Sequence, residues 1–216
     1  IPIAESTGAI ERITHWVIRE ACRTAAQWPD DVRVAINISP ASLRTGELPS
    51  AVIAALMETG LPARRLELEV TESIFLHDAG QTHQMLRELR RIGLRLVLDD
   101  FGTGYSSLSY LRSYRFDGIK IDRSFMEGIT TSPEDQAIVY AVGHLAGKLH
   151  MEMVAEGIET IDQLDYVRRS GIHNVQGFLM SEAQSESIVS DMVARGVTIE
   201  GAIQAKAERK RAAARA

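Results

Sequence analysis

The sequence holds a single cysteine, Cys22, so no disulfide can close within the chain. Cys22 falls in an amphipathic pattern, where a small buried side chain is expected rather than a reactive thiol. A reducing setting follows as an expectation: the cytoplasm, or the cytoplasmic side of a membrane-anchored parent protein. No apolar run approaches the ~20 residues that a membrane span requires. The first ten residues, IPIAESTGAI, have neither the basic start nor the apolar core of a signal peptide. An excess of positive charge is missing too. With 24 Lys and Arg against 29 Asp and Glu, the net charge of -5 gives no general attraction to a nucleic-acid backbone or an anionic bilayer. Neither DNA binding nor membrane contact by this segment is expected, and a phosphate-bearing ligand would need local help from a lysine or from metal ions. The six histidines, His15, His77, His83, His144, His150 and His173, show no metal-ligand spacing.

At 216 residues and 45% hydrophobic, the chain is long enough for one domain with a sizeable core. Residues 32–39, 65–73, 94–101, 118–125, 151–159 and 174–180 read as strands. Helical patterns lie between them, the clearest over 81–93 and 133–150, the latter with Pro133 near its first turn. A further helix opens the chain over 8–28. Strands alternating with helices predict a parallel sheet wrapped by helices. Alternation along each strand then sorts the side chains. Val34, Ile36 and Ile38 face one way, and Asn37 and Ser39 the other. Glu67 and Glu69 oppose Leu66, Leu68 and Val70, while Lys120 and Asp122 oppose Ile119 and Ile121. Polar residues late in every strand fit a βα-barrel, where chemistry gathers at the C-terminal strand ends. A closed barrel has eight strands and typically ~250 residues, so six strand-and-helix units suggest a barrel lacking its first strands. The expected domain covers residues 1–200, with 201–216 a helical tail or linker whose basic run is solvated surface.

The strand-end residues are Asn37, Glu69 with Glu72, Asp99 with Asp100, Lys120 with Asp122, Glu156 with Glu159, and Gln176. Carboxylates gathered in a partly dry cup repel one another unless a cation neutralises them. Oxygen ligands without Cys or His select hard ions such as Mg²⁺ or Mn²⁺. In the run LVLDDFGTGYSSLSYL, one aspartate can bridge two ions while its neighbour holds the second. Such an ion pair suits in-line displacement at phosphorus. Gly102 and Gly104 supply joints for a loop that could close over a substrate.

The motifs IPIAESTGAI, NIS, ELEVTES, DDFGTGYSSLSYL, KIDRSF, AEGIET and QGF, in this order, resemble the EAL domain, the bacterial cyclic-di-GMP phosphodiesterase family, up to about residue 183. The resemblance implies an α/β, TIM-like (β/α) barrel whose two ions, Mg²⁺ or Mn²⁺, activate water against one phosphodiester to yield linear pGpG. It implies metal ligation by Asn37, Glu69, Asp99, Asp100 and Glu156. Lys120 is implied to steady the attacking water, with Glu156 a further ligand or the base, and Glu72 to anchor the DDFGTG loop. Ser39, Asp122, Glu159 and Gln176 are implied on the substrate side. The Glu-Ala-Leu strand end that names the family, with another metal ligand and a phosphate-binding arginine, has no counterpart here and is expected upstream of Ile1. Ala183 stands where the family usually has proline. The implied setting is bacterial signalling, under an N-terminal sensor or GGDEF-type domain, with a homodimer left open. A catalytically inactive domain that binds cyclic-di-GMP or a partner protein is the other reading.

Overall fold

Apolar residues at helical spacing fold Ala9–Ala25 into a helix with a buried stripe of Ile10, Thr14, Ile18, Cys22 and Ala25. A computed structural model describes residues 1–76, 79–103, 111, 113–204 and 206 of the chain. They fall into two units, Ile1–Lys120 and Ile121–Ala216. Three expectations lie wholly or partly outside the described residues: the loop from Gly104 to Tyr110, His77, and most of the tail beyond residue 204. Burial pushes the Cys22 thiol up to about 11, as befits an inert core cysteine.

In the first unit, α1 (Pro2–Ser6) and α2 (Ala9–Ala25) precede β1 (Val34–Asn37) and α3 (Leu48–Thr59). Then follow β2 (Leu66–Thr71), a 3₁₀ turn (Glu72–Leu76), α4 (Ala79–Ile92), β3 (Arg95–Phe101) and β4 (Gly118–Ile121), whose last residue begins the second unit. β1 runs parallel to β2, with Asn37 opposite Glu69. β2 runs parallel to β3, with Thr71 opposite Asp99, and β4 is the next neighbour. The alternation predicted for β2 holds, with Leu66, Leu68 and Val70 each 0% exposed. Ile36 and Ile38 are likewise buried and Asn37 is exposed.

The second unit carries α5 (Ser124–Glu127), α6 (Pro133–Lys148), β5 (Glu152–Ala155), α7 (Ile161–Arg169), β6 (Asn174–Val175) and α8 (Glu186–Ala194). β5 and β6 are parallel, with Ala155 opposite Val175. Helix starts follow their sequence markers. Ser132 caps α6 through the Asp135 N–H with Pro133 in the first turn, and Thr160 and Gln163 form a reciprocal cap on α7. No helix among the described residues is long and apolar enough to cross a membrane.

β4, β5 and β6 stop four to five residues short of their predicted ends, and β1 and β2 two residues short. After Ile121 the chain turns at once, because Asp122 accepts the Ser124 N–H at 3.0 Å and starts α5. After Val175 it bends at Gly177, where an added Cβ would lie 2.2 Å from the Ile158 carbonyl oxygen. Residues 177–180 are therefore a turn rather than more of β6.

Arg65, 3% exposed, has no apolar pattern to announce it. Its guanidinium donates to the carbonyls of Val32 at 2.8 Å and Ala25 at 2.7 Å, and stands 3.5 Å from Asp30. It thereby satisfies the C-terminal end of α2 and the turn leading to β1. Charge-assisted bonds of this kind are each worth about 1.5–3 kcal/mol, so Arg65→Leu should cost about 3 kcal/mol. Urea denaturation should show a lower midpoint with an unchanged slope. An unchanged midpoint would mean that water replaces the arginine.

Candidate functional site

Parallel pairing in the first unit sets the levels of the polar strand-end residues. Asn37, last in β1, stands opposite Glu69 in β2, and Asp99 in β3 stands opposite Thr71, two residues further along. Glu69 is 7% exposed, Asp99 6% and Lys120 4%. The Lys120 Nζ lies 3.0 Å from Glu69 Oε2 and 3.3 Å from Asp99 Oδ1. Three adjacent strands thus supply a buried carboxylate, a second carboxylate and an ammonium. The lysine is buried and lies within ion-pair distance of both acids.

The charges in this triad do not cancel: two carboxylates face one ammonium, and Asp100 follows immediately. Burial raises the Glu69 carboxyl above its ordinary range, the Lys120 ammonium lowers it, and the charges of Asp99 and Glu67 raise it again. The net shift is upward. An acid with a raised folded value binds protons more readily in the folded state. Stability is therefore lost as pH rises from the unfolded carboxylate range through the folded one. A divalent cation among these oxygens would remove that cost. The donor set, all oxygen and part buried, fits a hard ion.

Asp100 adopts a left-handed backbone, φ +52°, which L-residues enter at a cost and which Asp and Asn tolerate best. Its N–H donates to Asp99 Oδ1 at 3.0 Å, and its carbonyl accepts the Thr103 hydroxyl at 2.9 Å. The chain therefore turns within one residue of the strand end, and a carboxylate oxygen of Asp99 and one of Asp100 lie within 4.8 Å of each other. A strained acidic residue directly after another acid is the kind of outlier that accompanies function. Gly102 follows with φ +98°, beyond the reach of side-chain-bearing residues. Glu72 opens the 3₁₀ turn directly after β2.

Ser39, two residues past Asn37, donates its hydroxyl to Glu5 Oε1 of α1 at 2.5 Å and accepts the Ala41 N–H at 3.1 Å. Glu5 is a residue that reading the strand ends passes over. It stands in a short helix with no strand to display it, and only the quoted opening motif contained it.

In the second unit, Glu156 follows β5 directly, and its N–H donates to the carbonyl of Ile121 at 3.1 Å. Gln176 follows β6 and donates its N–H to Ala155 at 2.9 Å, so Glu156 and Gln176 leave neighbouring strands at one level. Partial burial opposes the charged form of Asp122, but the hydroxyl and N–H of Ser124 and the N–H of Arg123 together outweigh it and hold the carboxyl low. Glu159 is exposed, and its backbone N–H is taken by the Gln163 side chain at 2.8 Å.

Gly157 allows the chain to pass Arg123. Its φ is +71°, and an added Cβ would lie 2.3 Å from Arg123 Cβ and 3.0 Å from its Cα. Gly157→Ala should therefore cost about 2–3 kcal/mol through backbone strain and collision, and should displace Glu156 beside it. A melting temperature within 1 °C of wild type, about 0.25–0.5 kcal/mol, would refute the clash.

A family model described as "EAL domain" matches residues 1–183. The cyclic di-GMP phosphodiesterase NbdA of Pseudomonas aeruginosa is 43% identical over 185 residues, covering 84% of this chain and 24% of NbdA. Among solved structures, the c-di-GMP complex of the PaMucR phosphodiesterase matches with a TM-score of 0.82 and 38% identity, over 87% of this chain and 78% of that one. The manganese/cy-diGMP complex of Klebsiella pneumoniae BlrP1 at pH 6 matches with a TM-score of 0.70 and 35% identity, over 80% of this chain and 44% of that one. BlrP1 has also been solved as a calcium/cy-diGMP complex. The chain spans about a quarter of the length of the curated relatives it matches. These likenesses place the fold in the α/β class of TIM-like barrels. The matched model, the relatives and the polar ends of β1 to β4 agree, and the chain belongs to the EAL domain family.

Proposed function

We propose that this chain is the catalytic part of a metal-dependent phosphodiesterase that hydrolyses cyclic-di-GMP to linear pGpG in bacterial signalling. The observation that carries the proposal is Lys120 held between the buried carboxylates of Glu69 and Asp99, with Asp100 at the next position. A purely structural salt bridge would pair one acid with one base. This cluster keeps a surplus of negative charge in a place where it is costly, which supports a cation-binding role.

Asn37, Glu69, Asp99, Asp100 and Glu156 are the residues that would hold two ions, Mg²⁺ or Mn²⁺. Bound there, such ions supply Lewis acidity toward the phosphodiester and its attacking water. The protein's own part is to orient and to handle charge. Lys120 offers N–H donors toward the water and the phosphorane-like charge. Glu156 would serve as a further ligand or as the base that takes the water's proton, and Glu72 would steady the loop that begins at Asp100. Ser39, Asp122, Glu159 and Gln176 complete the substrate side. The relatives' greater length supports further domains, sensor or GGDEF-type, in a cytoplasmic parent protein.

Incubating the parent protein that carries this chain and the expected upstream Glu-Ala-Leu strand end with cyclic-di-GMP and either manganese or magnesium, and separating the products by chromatography, tests this. Linear pGpG is expected only with metal. Binding of the cyclic dinucleotide without product under either ion would instead favour a non-hydrolysing binding domain.

A further inference from the structure

We infer that Glu5 is a positioning residue for the metal-ligating end of β1, acting through Ser39. The inference rests on the phosphodiesterase reading of Asn37. The chain beyond Asn37 keeps its place for one more residue, because the Ile38 N–H donates to the Glu69 carbonyl at 2.8 Å. It then leaves the sheet in a tight turn. The Ser42 N–H returns to the Ser39 carbonyl at 3.0 Å, with Pro40 at the second position where its fixed φ suits such a turn.

This turn is fastened at two points. At its far end, Ser42 Oγ and Thr14 Oγ1 of α2 meet at 2.9 Å, buried. At its near end the Ser39 hydroxyl gives its single proton to Glu5 Oε1 at 2.5 Å, and its oxygen takes the Ala41 N–H at 3.1 Å. An O–H donor on a carboxylate at this distance is among the stronger hydrogen bonds a side chain makes. The buried Ser42–Thr14 contact suffices to attach the turn to the core. The Glu5–Ser39 contact adds to that attachment, and it fixes the direction in which β1 ends. Asn37 is exposed at the end of a four-residue strand, so its side chain depends on that direction more than Glu69 or Asp99 do in their buried strands.

The test uses the full chain with Glu5→Ala, Glu5→Gln and Ser39→Ala. Manganese affinity is measured by calorimetry, and exchange of the Ala41 amide by NMR. Glu5→Ala and Ser39→Ala should each weaken manganese binding about tenfold, while the urea midpoint falls only modestly and the cooperative transition is kept. Ala41 exchange should quicken about tenfold in both. Glu5→Gln, which still offers an acceptor oxygen, should recover most of both losses. Wild-type manganese affinity in Glu5→Ala would overturn the inference while leaving the phosphodiesterase reading intact. A wild-type chain that takes up no manganese would overturn that reading instead. In that case unchanged Ala41 exchange in Glu5→Ala also refutes the hold on the turn, and quickened exchange supports it.

Discussion

Replacing Asp100 by Asn should lower turnover of cyclic-di-GMP on the order of a thousandfold, about 4 kcal/mol of transition-state stabilisation, while leaving the fold in place. Two features make the substitution clean. Asn tolerates the left-handed conformation as readily as Asp, so the backbone at φ +52° is not disturbed. The N–H that donates to Asp99 Oδ1 and the carbonyl that serves Thr103 belong to the main chain and survive. Only the negative oxygen is lost. Circular dichroism and the melting temperature should match wild type while pGpG formation disappears into background. Turnover within threefold of wild type would remove Asp100 from metal binding and, with it, the two-ion proposal.

Lys120→Met should be the most destabilising of the substitutions considered, at about 3–5 kcal/mol near neutral pH without divalent ions. Methionine matches the lysine stem in volume, so packing within the fully buried β4 is kept. The loss is electrostatic, because Glu69 and Asp99 then face each other across an apolar gap. Glu69, already raised by burial, rises further once the ammonium that lowers it is gone. The folded variant then holds a proton that the unfolded chain releases. Its stability falls as pH increases through the interval between the unfolded and folded values, and returns as pH drops. Urea midpoints at pH 7.5 and pH 4.5 should therefore differ less between variant and wild type at the lower pH. A penalty equal at both would mean that the cost is packing. Saturating manganese should recover part of the loss by binding only the folded state.

The strand faces were legible because period-two alternation is a local property. Leu66, Leu68 and Val70 had to go one way once Glu67 and Glu69 went the other. The meeting of Glu69, Asp99 and Lys120 was legible for the same reason, since each lies late in a strand of one direction. What alternation could not reveal were contacts made across long separations. Arg65 takes the carbonyl of Ala25, 40 residues before it. Glu5 takes the hydroxyl of Ser39, 34 residues after it. Nor does a pattern of apolar residues tell where an extended run stops. That depended on Gly177 meeting the Ile158 backbone and on Asp122 capping its own turn.

The reversed backbone at Asp100 also bears on laboratory evolution. A library randomised at this codon and sorted for heat resistance should enrich glycine, which enters the left-handed region without the ~1–2 kcal/mol that a β-carbon costs there. Sorted for signal degradation, the same library should retain aspartate alone. Heat tolerance and catalysis would then select opposite winners at a single position.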